Sequence, residues 1–368
     1  MQKSPATALR TLLAAGAASL LTAIPAPAVA LDKVKMGTPA RVNIGYAPFI
    51  MTKAMGFFEQ EGLDVEITEF LGTSVLVPQV ANKSVDIGFP GADIVIISRQ
   101  PGRDHLPVKF FYNVARKNPW EFVVPVESPI KVIGDLRGKK IGVGALANGN
   151  VPIARAMFTE MGMTAGKDYE FVPVGVGAPA VHAVRTKQID AFNGFDATIA
   201  HLPNNGIQIR YLEQPEKYRT LISNGFVAHD DTIKDRPDML RRFGRAITKG
   251  IVACEANRDL CVRAAWQLYP SLKAQGVPDD RAMAESRATL DARLASIYNF
   301  GPDSRKFGEY TPKMFTDYID VLYGGGELKS KEIAVDSLYT NAFVEDFNKF
   351  DPAPLQAQVR ALKAVPAK

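Results

Sequence analysis

Two stretches of this chain run through the same order of elements, and that repetition constrains the fold more than any other feature. "FFEQEG" (57–62) and "MFTEMG" (157–162) each read as the end of a helix stopped by glycine. "VEITEF" and "YEFVPV" follow as strands. "GTSVLVPQVANKSVDIGF" (72–89) then matches "GVGAPAVHAVRTKQIDAF" (175–192): a glycine turn, a short helix, a basic residue, then hydrophobic-Asp-small-Phe. Four matches in one order over about 35 residues predict two similarly built lobes.

The rest of the chain supports βαβ units around parallel sheets. "RVNIGYAPF" (41–49) reads as a short strand and its loop, "IMTKAMGFFEQEG" (50–62) as helix, "LDVEITEF" (63–70) as a clean alternating strand. "VDIGF" (85–89) is a third strand, from which "PGAD" (90–93) turns into a helix. Two extended stretches, 118–132 and 220–231, suit crossings between the lobes, so the body has a cleft and a hinge. Beyond 235 the chain turns helical, over 235–254, 263–270, 281–294 and 311–326.

The first thirty residues stand apart. Lys3 and Arg10 precede the apolar run "TLLAAGAASLLTAI" (11–24), and Ala28-Val29-Ala30 supplies a small-residue cleavage site. This reads as a secretory signal peptide, 1–30, because about 14 apolar residues fall short of the ~20 that span a bilayer. Its removal takes away two basic residues and no acidic ones, leaving a charge of +3 from the +5 of the whole chain. Acids interleave with the scattered basic residues, so nucleic acid is not expected as a partner.

Export makes the two cysteines, Cys254 and Cys261, a candidate disulfide. On one unbroken helix they would rise about 10 Å apart, too far to bridge. "ANRD" (256–259) offers a helix break that would allow a bridge at a helix–helix corner, and both outcomes stay open.

"KKIGVGALANGN" (139–150) has the local shape of a nucleotide loop, but the comparison fails twice. The next strand ends in "VPVGVG" without the acid that holds a ribose, and the Gly-Lys-Ser/Thr ending of a phosphate loop is absent. What remains is a helix start with Asn150 as cap and Pro152 in the first turn. "GTS" (72–74) and "PGAD" place two more helix starts after strands, where the crevices of α/β sheets lie.

"GFFEQEGLDVEI", "VANKSVDIGF", "SPIKVIGDLRGKKIGV", "KQIDAF" and "PDMLRRFGRAITKGI" resemble the periplasmic solute-binding proteins of ABC importers, in the branch that takes sulfonates, taurine, nitrate and thiamine-pyrimidine precursors. The resemblance covers residues 41–270. It implies an α/β, two-lobed type II periplasmic-binding-protein fold, each lobe a doubly wound sheet flanked by helices and hinged by two crossovers. The lobes are expected at 39–125 with 223–350, and at 126–222, with 351–368 a C-terminal tail. The implied function is capture of a small organic solute (sulfonate, aromatic or pyrimidine-type) in the periplasm by a monomer that delivers it to a membrane permease, with no cofactor.

By position in that pattern, ligand contacts are expected from Tyr46, Phe49, Thr73, Ser74, Gly91 and Ala92 in the first lobe. The second lobe would give Asn148, Gly149, Asn150, Asn193 and Asp196, and the crossing Asn118 and Trp120. Hydroxyls, amides and aromatic faces suit an oxygen-rich or flat solute. Asp196 either faces a donor on the ligand or caps the helix "ATIAHL". No arginine stands at these turns, so no guanidinium clamp is expected. The same fold includes an enzyme that builds the thiamine pyrimidine with iron and a cysteine-rich motif. No cysteine cluster is present here, and His105, His182, His201 and His229 lack metal spacing. A sensing domain for a membrane receptor is the third class that shares the shape.

Overall fold

The computed structural model describes residues 30–300 and 305–366, and those of them from Leu31 onward belong to one compact unit. The expected leader at 1–30 lies outside the described residues but for its last, Ala30. Among the described residues ten strands form two five-stranded sheets. In the first, β1 (Asp32–Thr38), β2 (Leu63–Glu69) and β3 (Ile87–Gly88) run parallel, with β4 (Val108–Asn113) at the edge. In the second, β6 (Lys139–Val143), β7 (Tyr169–Pro173) and β8 (Ala191–Phe195) run parallel, with β9 (Ile209–Leu212) at the edge. The crossings supply the fourth strand of each sheet. β5 (Trp120–Pro125) enters the second sheet antiparallel between β8 and β9, and β10 (Gly225–His229) returns to the first antiparallel between β3 and β4. The orders β2-β1-β3-β10-β4 and β7-β6-β8-β5-β9 are therefore the same order written twice.

Local chemistry explains most elements. β2, "LDVEITE", buries Leu63 and Val65 and leaves Asp64 and Glu66 exposed, the alternation of a strand with one face on the core. The helix Pro237–Ala256 repeats buried residues at helical spacing along the first lobe, where Phe243 meets Phe58 and Phe226 in a core of aromatic rings.

Four expectations need correction. The strand expected at 41–49 is a turn, Ile44–Tyr46, running into the helix Ala47–Ala54. Asn43 Oδ1 accepts the Gly45 N–H at 2.9 Å and Pro48 sits in the helix's first turn, so local capping overrides a short alternation. The strand of that lobe comes earlier, at β1, so the lobe begins before 39. The second lobe begins before 126, because β5 is already hydrogen-bonded to β8 and β9. The tail at 351–368 contains a helix, Pro352–Ala361, whose start is held by Asp351 and whose Val359 is buried in the first lobe's core.

The C-terminal region also does more than complete the first lobe. The helix Pro312–Gly324 packs on Asn150–Glu160 of the second lobe and on Asp93–Ser98 of the first. One hydrophobic cluster runs through it, from Leu76 and Val77 to Phe122 and Met157.

Asn257 ends the longest helix among the described residues, Pro237–Ala256, and its side chain accepts the Leu260 N–H at 3.0 Å, starting the helix Arg258–Leu268. That turn brings the Cα atoms of Cys254 and Cys261 to 5.0 Å, and the two sulfurs are bonded.

Candidate functional site

A narrow cleft opens where the carboxyl ends of both sheets face one another, the place at which α/β folds of this kind hold ligands. Together with the solvent at its mouth, the space along its walls comes to about 530 Å³. The first lobe gives Pro39 and Ala40 after β1, Tyr46, Thr73, and Gly91 and Asp93 after β3. The second gives Asn148 and Gly149 after β6 and Phe195 at the end of β8. The crossings give Pro119, Trp120, Ser223 and Asn224, and the helical C-terminal region gives Arg293 and Tyr318.

The lobes touch at both the rim and the floor of this cleft. At the rim the Ser74 N–H and Oγ donate to Ala147 O at 3.4 and 3.3 Å. Beside it Gly72, at φ 119°, lies so close that a Cβ would stand 2.5 Å from the same oxygen. At the floor a Cβ on Gly149 would stand 2.8 Å from Asp93 Oδ1.

Of the expected contacts, Tyr46, Thr73, Gly91, Trp120, Asn148 and Gly149 line the cleft. The others are placed elsewhere, each for a visible reason. Phe49 is buried between the rings of Tyr46, Phe89 and Phe226. Ala92 is buried at the start of a helix, and Ser74 spends its hydroxyl on the opposite lobe. Asn118 stands behind Trp120, accepting its N–H at 3.1 Å and donating to Tyr218 O at 2.9 Å. Asn150 and Asn193 form a buried amide pair at 2.6 Å, with Asn193 also donating to Glu121 O at 3.1 Å. These three asparagines hold the wall rather than form it.

Asp196 answers neither expectation in full. It is the first residue of its helix, with Phe195 at the cap, and its Oδ1 accepts from Arg293 at 2.8 Å and from the Ala197 N–H at 2.7 Å, so it is an ion-pair partner with both side chains almost covered. Arg293 is also the correction to the expected lack of a guanidinium: it lines the cleft, reaching it from the helix Asp279–Ile297 rather than from a strand-end turn. A signal was present in the sequence. Ser286, Thr289, Leu290, Arg293, Leu294 and Ile297 make a buried stripe at helical spacing, and an arginine on such a stripe needs a partner.

Asp93 lies one residue beyond the expected contacts Gly91 and Ala92. It is buried at the first position of its helix, and Oδ1 has no hydrogen-bond partner. Burial pushes its carboxyl up to about 7; the backbone N–H groups of Asp93 and Ile94 oppose this and the charge of Glu327 adds to it. Tyr318 stands close enough for the Asp93 charge, after burial, to help hold its phenol protonated. The aromatic faces are ordered too, with Trp120 meeting Phe195 edge to face at 5.3 Å. Among the described residues no three His, Cys, Asp or Glu side chains gather as a metal site, and no helix is long and apolar enough to cross a membrane.

Two repeated sheets, two crossings and a cleft between strand ends define the two-lobed periplasmic-binding-protein fold. A protein of Bordetella bronchiseptica RB50 superposes with a TM-score of 0.68 at 21% identity, over 86% of this chain and 97% of its own. The alkanesulfonate-binding protein SsuA of Xanthomonas axonopodis pv. citri, solved bound to MOPS, gives 0.64 at 16% identity, over 85% and 100%. In sequence the chain is similar to the riboflavin-binding protein RibY of Chloroflexus aurantiacus, 24% identical over 345 residues, covering 88% of this chain and 90% of that one. The family model described as NMT1/THI5 like matches residues 43–259, and the chain belongs to that family.

Proposed function

We propose that the protein is an exported solute-binding component of an ABC importer, capturing a small organic solute between its lobes and presenting it, as a monomer, to a membrane permease. The observation that carries this reading is the cleft itself: both lobes and both crossings line one narrow cleft at the strand ends. A solute that touches both walls favours the closed form, which is then distinct from the open one at the surface a permease meets. The names of the Chloroflexus and Xanthomonas proteins support solute binding, and the Cys254–Cys261 bridge supports an oxidising compartment such as the periplasm. No reaction is performed on the solute.

The test is a thermal-shift screen of the chain from Leu31 against alkanesulfonates, nitrate, aromatic carboxylates, pyrimidines and flavins. One organic class should raise the melting temperature with concentration, as binding linkage requires, and the solute should be recovered unchanged. No response from any class, or a chemically altered solute, defeats the reading.

A further inference from the structure

At the floor of the cleft the lobes meet over an acid. Asp93, on the first lobe, is 1% exposed, and its Oδ1 has no hydrogen-bond partner. That oxygen sits in a notch between two glycines: a Cβ on Gly91 of its own lobe, or on Gly149 of the other, would stand 2.8 Å from it. Because neither glycine has a side chain, both turns pack directly on the carboxyl. Part of its cover therefore belongs to the second lobe, and separating the lobes removes that part. The other groups around it offer no cation. The helices Asp93–Ser98 and Thr73–Ala81 carry no other ionisable side chain, and neither does the turn at 148–150. Tyr318 faces it from the helix Pro312–Gly324, and Glu327 adds a negative charge that Arg155 holds at 2.8 Å. Arg293 lines the same cleft with its Nε unpartnered, but its ion pair is with Asp196 at 2.8 Å, and its charge is not among those acting on Asp93. Only the backbone N–H groups of Asp93 and Ile94 favour the carboxylate, and burial outweighs them, pushing the group up to about 7.

We propose that the lobes close on the protonated form of Asp93, so that closure takes up a proton and is stronger in acid than at neutral pH. This rests on the closing motion of the proposed function and adds a control to it. With Gly149 withdrawn, water reaches the acid, and its pKa returns towards that of a hydrated carboxylate, about 4. Below about pH 4 both forms carry the proton, and closure is at full strength. Between about 4 and 7 the open form ionises while the closed form does not, and each pH unit weakens closure by up to about tenfold. Above about 7 both forms are ionised and the loss levels off. The acid is thus a brake on closure that protons release, in a place where no cation of the chain does so.

The test needs no solute. Cys254 and Cys261 are the chain's only cysteines and are bonded to each other, so Leu146→Cys supplies a single free thiol for a trifluoromethyl label. Leu146 is 55% exposed and precedes Ala147, whose carbonyl accepts from Ser74 of the opposite lobe, so the label senses whether the rim is made. Fluorine NMR of the labelled chain from Leu31, which forms one compact unit, is recorded from about pH 5 to about pH 8. The signal of the made rim should give way to that of the open rim as pH rises to about 7, and then hold steady. Small-angle scattering should show the radius of gyration growing in step. Asp93→Asn keeps the shape and cannot ionise, so its signal ratio should stay constant over the whole range. Asp93→Ser, a second neutral side chain, should do the same and serves if the amide variant does not fold. A ratio that ignores pH in the unaltered chain, or that moves equally in a neutral variant, overturns the proton linkage and leaves the importer reading standing. That reading is tested separately by the solute panel, whose failure would leave the pH response of the solute-free chain untouched.

Discussion

Asp93 and Asp196 are two carboxyl groups of one cleft, both at the first position of a short helix after a strand, and the structure treats them in opposite ways. Asp196, at the end of β8, receives Arg293 and the Ala197 N–H. Asp93, after β3, occupies the corresponding place in the other lobe and receives no side-chain donor. The repeat that built the two lobes gave each an acid, and the helical C-terminal region broke the equivalence by delivering an arginine to one and a tyrosine to the other. One carboxylate is held by an arginine; the other is covered with one oxygen left without a partner.

The largest effect that sharpens this contrast comes from removing the guanidinium. Arg293→Met should leave Asp196 covered and unpaired and cost about 3–5 kcal/mol in urea unfolding at pH 7. A cost below about 1 kcal/mol would mean that Asp196 does not depend on the pair. Next is Asp93→Asn, whose size depends on pH. The folded carboxyl titrates at about 7, well above its unfolded value, so it is neutral in both states below about pH 4. As pH rises towards 7 the unfolded chain ionises first, stability falls, and above 7 the loss is complete. The amide variant should therefore match the unaltered chain at pH 4 and exceed it by up to about 4 kcal/mol at pH 8. Equal urea midpoints at both pH values would make the two acids alike after all. The smallest effect concerns the floor contact. Gly149→Ala places a methyl 2.8 Å from Asp93 Oδ1 and should destabilise by about 1–3 kcal/mol through overpacking. Combined with Asp93→Ala the penalty should largely vanish, and simple additivity of the two in urea melts would place the contact elsewhere.

Particular elements show what could be read in advance. The alternation of "LDVEITE" identifies β2, and "ANRD" marks the break at Asn257 because asparagine caps the following helix with its own side chain. β4, "VKFFYN", buries all but one of its residues outright and has no alternation to reveal it, while the turn at 44–46 mimics one. In the site, Trp120, Asn148 and Gly149 follow from strand ends and glycine turns. Arg293 lies 97 residues along the chain from Asp196, and Tyr318 lies on a helix that reaches the cleft from the far end of the sequence. Nothing local links such pairs.

The sequence by itself determined the two repeated sheets, the long C-terminal helices and the strand-end turns, because strand alternation, helical spacing and capping act over a few residues. Only the tertiary structure decided which buried acid has a partner. That outcome depends on where two distant helices set down one guanidinium and one phenol, and the free energy of a buried charge is fixed by neighbours within a few ångströms of it in space, wherever they stand in the chain.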